Sequence, residues 1–224
     1  MKTKIKMLSV AAVIIVLASL TFVVVQSESV APKNPQETLA RVACLGDSIT
    51  QDTGYPSDLQ ALLGTRSIVG SFGVAGATVN FNSDRPYFYE PEFRRARSFA
   101  PTTVVIMLGT NDAHNDSYQQ IDSFVADYTR ILNRIANYSS KPQIFVVIPP
   151  PVFFNTLGVN KDAYLAGVIP RVQQVAEQLH LQTINVYAPL LNHPEYFPDG
   201  LHPNSDGAAI IAQTVYKAID PRQT

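Results

Sequence analysis

Apolar residues form two kinds of run along the 224-residue chain. Short, nearly continuous runs rich in valine and isoleucine are typical of buried strands, whereas an apolar residue at every third or fourth position is typical of a helix. The predicted strands cover residues 42–45, 67–72, 103–108, 144–148 and 183–187. The predicted helices cover residues 55–63, 91–99, 121–135, 165–179 and 208–219. Strands and helices therefore alternate along the chain.

Local signals mark the ends of several of these helices. Gly64 follows the first helix, and glycine is a common residue at such an end. Asn204 or Ser205 is placed to cap the last helix, because both side chains can accept a hydrogen bond from a free backbone amide. Pro170 lies inside the fourth helical stretch and predicts a kink there, since proline has no amide hydrogen to donate.

The alternation of apolar strands with helices predicts a parallel sheet that is covered by helices on both faces. We expect one α/β domain, a three-layer α/β/α sandwich with a central parallel sheet of about five strands in the flavodoxin-like order 2-1-3-4-5. Ligands of such sheets bind at the carboxyl ends of the strands. The residues just after each strand are therefore the first candidates for a functional site.

A separate apolar stretch precedes this domain. Residues 7–25 carry no charge over 19 positions, and Lys2, Lys4 and Lys6 come before them. The length suits a membrane-spanning helix, and the lysines predict that the N-terminus stays in the cytoplasm. Everything after the apolar run is then expected on the other side of the membrane.

Three segments follow from this reading of the chain. Residues 1–26 are interpreted as a signal anchor, that is, an N-terminal apolar helix kept in the membrane, or as a signal peptide that is cleaved, and both interpretations stay open. Residues 27–39 are mostly polar, contain two prolines and are typical of a linker. Residues 40–224 form the folded domain. Its expected location is extracytoplasmic, either membrane-anchored or secreted or periplasmic.

Composition and charge argue against several classes of function. The formal net charge is −1 with no strongly basic face, which does not suit nucleic-acid binding. Cys44 is the single cysteine, so no intrachain disulfide can form, and the cysteine and histidines lack the spacing of zinc ligands. No metal or other cofactor is expected. Arg94, Arg95 and Arg97 form a short basic cluster that is typical of a solvated helix face.

Four short segments stand where a site is expected. They cover residues 46–50, 73–78, 109–112 and 199–204. Each alone is most often a turn or a helix cap. Their occurrence together and in this order favours one site that is built from all four.

The residue types in these segments fit acyl transfer. A serine nucleophile needs a base, and the base needs an orienting carboxylate. We assign these roles to Ser48, His202 and Asp199. The prolines on either side of the segment 199–202 suggest a turn that brings the carboxylate to the imidazole.

The tetrahedral intermediate of acyl transfer needs hydrogen-bond donors aimed at its oxyanion. The backbone amides of Ser48 and Gly76 and the side-chain amide of Asn111 can supply three. Glycine suits such a place because it lets the backbone approach a ligand closely. Asp112, the neighbour of Asn111, is expected to fix the turn by accepting hydrogen bonds from nearby backbone amides.

Over residues 41–219 the chain resembles the SGNH, or GDSL-type, hydrolases. The four motif blocks of that family appear as GDSIT, GVAGATV, GTND and DGLHPN. The resemblance implies a serine esterase whose nucleophile, oxyanion donors, base and carboxylate are the residues already singled out: Ser48, Gly76, Asn111, His202 and Asp199. One departure is Ser71, where family members often have asparagine, and it concerns only local loop packing.

Two further stretches are similar to sialate O-acetylesterase-like and carbohydrate acetylesterase members, namely PYFYEPEF at residues 86–93 and IPPPVF at residues 148–153. The similarity implies hydrolysis of a small acyl ester, an acetyl ester, on a small-molecule or polysaccharide substrate. The aromatic residues either pack a surface loop or wall the acyl or sugar site. The substrate-binding candidates are Tyr87, Tyr89, Phe153 and His114, the last of which is otherwise a surface histidine.

Three alternatives remain at the level of the sequence. Nucleotide- and flavin-binding modules share the sheet type, but the glycine-rich signatures of phosphate-binding loops are missing. A non-catalytic relative that only binds glycans would be expected to lack a motif residue, and all are present. A lysophospholipase or thioesterase of the same superfamily would use the same catalytic residues and differ in its substrate.

Overall fold

A computed structural model describes residues 39–220 of the chain. In that range five strands form one sheet, with the bounds β1 Ala40–Gly46, β2 Ser67–Gly73, β3 Thr103–Met107, β4 Gln143–Ile148 and β5 Gln182–Asn185. The order is β2-β1-β3-β4-β5, and every neighbouring pair is parallel. The predicted parallel sheet and its order are confirmed.

The helices lie between and after these strands. Their bounds are α1 Ser48–Asp52, α2 Tyr55–Leu63, α3 Pro91–Ser98, α4 Asn115–Tyr118, α5 Phe124–Ala136, α6 Lys161–Ala163, α7 Ile169–Gln178, α8 Tyr187–Leu190 and α9 Ser205–Ile219. Short 3-10 turns occupy Gly64–Arg66, Tyr87–Tyr89, Thr110–Ala113, Ile121–Ser123 and Pro194–Tyr196. All five long helices expected from the apolar periodicity are present, with ends shifted by a few residues.

Each face of the sheet has its own hydrophobic core, because successive strand side chains point to opposite faces. On β1, Ala43 and Leu45 belong to the core formed with α3, α5 and α7. Val42 and Cys44 belong to the opposite core, formed with α2 and α9. Helices therefore cover both faces of the sheet, which confirms the predicted three-layer sandwich.

Pro170 lies beside an irregular turn. The predicted helix over residues 165–179 begins as a π-helical turn, Tyr164–Val168, and continues as α7, in which Pro170 is the second residue. Proline is tolerated in the first turn of a helix, where amide hydrogens lack intrahelical partners. The wider π turn lets the chain pass from α6 into α7 without a break.

β5 ends two residues earlier than the apolar pattern predicts. The side chain of Asn185 accepts a hydrogen bond from the amide of Ala188 at 3.0 Å, and α8 begins there. Short polar side chains of this kind compete with the strand ladder for backbone groups. The last helix begins at Ser205 with Asn204 as its side-chain cap, one of the two caps that the sequence allows.

The apolar run over residues 7–25 and the linker as far as residue 38 lie outside the described residues. Between residues 39 and 220, no helix is both long enough and apolar enough to cross a bilayer.

Candidate active site

A tight turn between β1 and α1 presents Ser48, the first residue of that helix. A Cβ on Gly46 would lie 2.6 Å from the carbonyl oxygen of Met107, so only glycine fits there. The carboxylate of Asp47 caps the helix by accepting the amide of Ile49 at 3.0 Å. The close packing at Gly46 and the Asp47 cap fix the backbone around Ser48. The amide of Ser48 itself has no acceptor within the helix.

Ser48, His202 and Asp199 form a continuous chain of hydrogen bonds. The Oγ of Ser48 lies 2.9 Å from Nε2 of His202. The Nδ1 of the same ring lies 2.7 Å from Oδ2 of Asp199. This is the geometry of a nucleophile, a general base and an orienting carboxylate.

The surroundings of Asp199 keep its carboxyl group ionised. Its Oδ1 accepts the amides of Leu201 at 2.9 Å and of His202 at 2.7 Å, which leaves Oδ2 for the imidazole. Partial burial acts to raise the pKa of Asp199, but these hydrogen bonds and the one from the His202 ring lower it below its ordinary value. The carboxylate is therefore negatively charged at neutral pH and can stabilise an imidazolium.

The loop after β2 carries Gly76 to the same edge of the sheet. The amide of Val74 donates to the carbonyl of Gly46 at 3.0 Å, which ties this loop to the nucleophile turn. Gly76 has a φ of +76°, and a Cβ on it would meet no atom closer than 4.0 Å. The backbone conformation is thus by itself a reason for glycine, because other residues rarely adopt such angles.

Asn111 follows β3 and donates from Nδ2 to the carbonyl of Ala77 at 3.0 Å. This bond uses one of its two amide hydrogens and leaves the other for a ligand. It also places Asn111 beside Gly76, whose amide makes no hydrogen bond within residues 39–220. The three expected oxyanion donors, including Ser48, therefore meet at one edge of the sheet.

Two successive peptide groups at the site, the ones before and after Ala75, are each held by a side chain. The amide of Ala75 donates to Oε1 of Gln51 at 2.7 Å, and its carbonyl accepts from Nη1 of Arg85 at 2.7 Å. The Nε of Arg85 lies 3.2 Å from Oε1 of Glu90. Neither Gln51 nor Arg85 could be predicted from the sequence, since no motif or spacing links either of them to Gly76.

Asp112 is buried and joins two loops of the site. Its Oδ2 accepts the amide of Val79 and its Oδ1 the amide of Asn80, both at 2.9 Å. Those amides are close in space but 33 and 32 residues away in sequence, so Asp112 does more than close its own turn. Burial raises the pKa of Asp112 to about 7, although the two amides lower it. Burial likewise raises the pKa of Asp47 to about 6.

Residues 44–210 match the model of the GDSL-like lipase/acylhydrolase family. The chain belongs to this family. Its folded part thus contains a GDSL-like lipase/acylhydrolase domain, and the resemblance seen in the four motif blocks is confirmed. The GDSL-like domain carries those blocks at the carboxyl edge of the sheet.

Known relatives of this GDSL-like hydrolase include esterases. An acetylxylan esterase of Xylanibacter ruminicola is 33% identical over 211 residues, which covers 83% of this chain and 44% of that protein. The chain therefore spans less than half the length of that relative.

Solved structures share the fold at lower sequence identity. An acetyl xylan esterase superposes with a TM-score of 0.64 at 20% identity, covering 80% of this chain and 100% of the other. A lipase/acylhydrolase from Enterococcus faecalis superposes with a TM-score of 0.65 at 21% identity, covering 82% and 96%. Because proteins with both names share the fold, the fold alone does not identify which ester is the substrate.

The three aromatic residues expected to line the substrate site of the GDSL-like domain differ from each other in burial and in contacts. Tyr87 is fully buried and donates its hydroxyl to the carbonyl of Phe72 at 2.5 Å, so the prediction that it contacts substrate is wrong. Tyr89 is 58% exposed. Phe153 is half-buried and packs on Phe197, with ring centroids 5.0 Å apart.

Phe154, which the sequence did not indicate as a site residue, lies against the turn that contains Asp199 and His202. A Cβ on Gly200 would lie 2.5 Å from the Phe154 ring, so the ring covers Gly200, one of the two residues between Asp199 and His202. The same glycine accepts the amide of Phe153 at 3.0 Å. Phe154 is 52% exposed, and it places an aromatic ring beside the turn of residues 199–202. Its position next to Phe153 was the only signal in the sequence.

His114 is half-buried and packs against a different loop. Its ring nitrogen Nε2 is so close to Gly158 that a Cβ there would clash. Its Nδ1 accepts the amide of Asp116 at 3.5 Å. Within residues 39–220 no hydrogen bond or ion pair joins His114 to the triad, so its predicted role in substrate binding gains no support from these contacts.

Proposed function

We propose that the protein hydrolyses a small acyl ester, an acetyl ester, on a carbohydrate through an acyl-enzyme intermediate on Ser48. The observation that carries the proposal is the hydrogen-bonded chain from Ser48 through His202 to Asp199, with distances of 2.9 and 2.7 Å. A partly exposed serine in this arrangement has the parts of a covalent acyl-transfer enzyme.

The first half of the reaction forms the intermediate. The Oγ of Ser48 attacks the ester carbonyl as its proton passes to Nε2 of His202, and Asp199 stabilises the resulting imidazolium. The negative charge on the carbonyl oxygen is met by the amides of Ser48 and Gly76 and by the side chain of Asn111. The C–O bond to the sugar then breaks, and the imidazolium gives its proton to the departing alcohol.

The second half regenerates the enzyme. A water molecule loses a proton to Nε2 of His202 as its oxygen attacks the acyl-serine carbonyl. The second tetrahedral intermediate uses the same three donors. Its collapse releases the acid, and the proton on His202 returns to Oγ of Ser48.

Two observations support a carbohydrate as the alcohol part of the ester. The relative that is 33% identical is named for acetylxylan, an acetylated polysaccharide. Phe154 presents an exposed ring beside the catalytic turn, and flat aromatic faces suit the apolar face of a sugar ring. An acetyl group rather than a long chain is proposed from the same relative.

The acyl preference tests the proposal directly. Hydrolysis of nitrophenyl esters from acetyl to octanoyl should show kcat/KM falling steeply with chain length, and acetylated xylo-oligosaccharides should lose acetate. Ser48→Ala should abolish both activities. A preference for octanoyl or longer esters would instead identify a lysophospholipase or thioesterase.

Trapping tests the covalent step. A fluorophosphonate should modify the protein once, at Ser48, and peptide mass spectrometry locates the adduct. A Ser48→Ala variant that is still modified to the same extent would contradict the assignment of the nucleophile.

A further inference from the structure

A second cavity, of about 280 Å³, lies between α3 and α5. Three arginines and four aromatic side chains line it, and no triad residue is among them. The sequence predicts a solvated face for the arginines of α3. These arginines are exposed, which confirms the prediction, and Arg134 of α5 and Tyr138 after it line the same cavity.

The arginines that line this cavity lack acidic partners. Neither Arg97 nor Arg134 forms an ion pair with any residue that the structure describes. Arg94 donates from Nη1 to the carbonyl of Tyr89 at 3.0 Å, a bond that leaves its positive charge uncompensated. Three exposed positive charges around one cavity give it a positive potential, which favours the binding of an anion.

Arginines of the same two helices that do not line the cavity are paired. On α3, Nη1 of Arg95 lies 3.3 Å from Oε1 of Glu92. On α5, Nη1 of Arg130 lies 3.9 Å from Oδ1 of Asp127. The unpaired arginines are thus those that line the cavity, which distinguishes it from an ordinary charged helix surface.

The floor of the cavity is aromatic. Tyr138 is 2% exposed and donates its hydroxyl to the carbonyl of Phe93 at 3.3 Å. Burial raises the pKa of Tyr138 to about 12, and the charges of Arg134 and Arg97 act to lower it, so both guanidinium groups influence one hydroxyl. At the rim, Tyr89 is 58% exposed.

We propose that this cavity binds an acidic sugar unit of a polysaccharide, a hexuronate. A guanidinium group binds a carboxylate through two parallel hydrogen bonds, and aromatic faces accept the apolar face of the ring. The volume equals that of about nine liquid water molecules, which leaves room for one sugar ring. The inference rests on the proposed function only in taking a polysaccharide as the source of the anion.

Calorimetric titration of the full-length Ser48→Ala protein tests this site without turnover. The probes are a glucuronate-bearing xylo-oligosaccharide, the matched neutral oligosaccharide and sodium sulfate. We expect the acidic oligosaccharide to bind at least about tenfold more tightly than either of the others, as the loss of one charge-assisted hydrogen bond would predict. Added salt should weaken this binding.

Matched variants assign the binding to the cavity. The double variant Arg97→Gln and Arg134→Gln should remove the preference for the acidic oligosaccharide. Arg95→Gln and Arg130→Gln, which change charge on the same helices, should keep it. In an otherwise unmodified chain, all of these variants should hydrolyse nitrophenyl acetate at the original rate, so the esterase proposal is tested separately.

Three results would overturn the proposal. The first is equal affinity for the acidic and the neutral oligosaccharide. The second is an equal loss of the preference for the acidic oligosaccharide in the cavity variant and in the Arg95→Gln and Arg130→Gln variants. Sulfate binding as tightly as the uronate would reduce the site to one for simple anions.

Discussion

At the residue scale, Asp199 divides its two oxygens between two tasks. Oδ1 accepts two backbone amides and Oδ2 accepts the Nδ1 hydrogen of His202. Because both amides come from its own turn, the carboxylate is fixed before substrate arrives. The Nδ1 proton in turn leaves Nε2 unprotonated and free to accept from Ser48.

Asn111→Ala should lower kcat by about a hundred- to a thousandfold and change KM little, because the charge on the oxyanion forms only in the transition state. The variant also loses the bond to the Ala77 carbonyl, so kcat and melting temperature should be measured on the same preparation. Full turnover with lowered stability would show that Asn111 only closes a turn.

Arg85→Met should lower kcat roughly tenfold, through the loss of one charge-assisted hydrogen bond. The Ala75 carbonyl and the Gly76 amide belong to one planar peptide, so the guanidinium holds the direction of the Gly76 N–H. Nitrophenyl acetate kinetics would show the loss in kcat rather than KM.

The control for Arg85 is Arg95→Met, which breaks a comparable exposed ion pair with Glu92 at 3.3 Å and touches no residue of the site. It should keep the original kcat. Equal losses in the two variants would mean that Arg85 acts only through general charge or stability.

At the element scale, the site depends on three segments that are bonded to each other. Val74 in the loop after β2 bonds to Gly46 at the end of β1, and Asn111 after β3 bonds to Ala77. Asp112 adds two bonds to the same loop. Loops at one edge of a rigid sheet are thereby kept at fixed distances, which catalysis by oriented donors requires.

The carboxyl of Asp112 should make stability depend on pH. Its pKa is about 7 in the folded protein, against an ordinary value of 3.8, so the folded state holds this proton more tightly than the unfolded state. Its contribution therefore destabilises the fold as pH rises from about 4 to about 7. Asp47, with a pKa of about 6, acts in the same direction.

Asp112→Asn removes this titration but leaves an amide nitrogen facing a backbone N–H. Its melting temperature should be lower than that of the original protein at pH 4, and this difference in melting temperature should shrink as pH rises to 7. The control is Asp116→Asn, at a carboxylate whose side chain is 87% exposed. It should have the melting temperature of the original protein at every pH from 4 to 7. A difference for Asp112→Asn that is constant or grows with pH would contradict the argument.

At the scale of the whole molecule, the strand order brings β2, β1 and β3 side by side, so the segments that follow them meet at one edge. The segment with His202 comes after β5, and the chain returns across the sheet edge to reach Ser48. Distant motifs thus become one site without any unusual local structure.

The expected extracytoplasmic location remains a prediction from residues 7–25 and the lysines before them. In intact cells expressing the full chain, protease added outside, after removal of the outer membrane or wall where there is one, should digest the domain. A cytoplasmic marker protein should survive the same treatment. Recovery of the full-length, undigested chain in the cytosolic fraction would contradict this topology.

The sequence by itself determined the strands, the long helices and their order, and it named the candidate residues for the triad and for the oxyanion donors. Apolar periodicity depends on which face of an element meets the core, and it is visible locally. The four motif segments are likewise contiguous, so Ser48 and His202 could be named before their 2.9 Å contact was seen. Asn204 and Gly64 marked helix ends for the same local reason.

Only the tertiary structure decided which of the remaining side chains belong to the site. Tyr87 is in the core, Phe154 lies over the catalytic turn, and Arg85 supports the Ala75 carbonyl. Nothing in the neighbouring residues encodes these contacts, because each depends on two segments that only the folded sheet brings together. The same holds for the three unpaired arginines, which share a cavity because α3 and α5 pack on one face of the sheet.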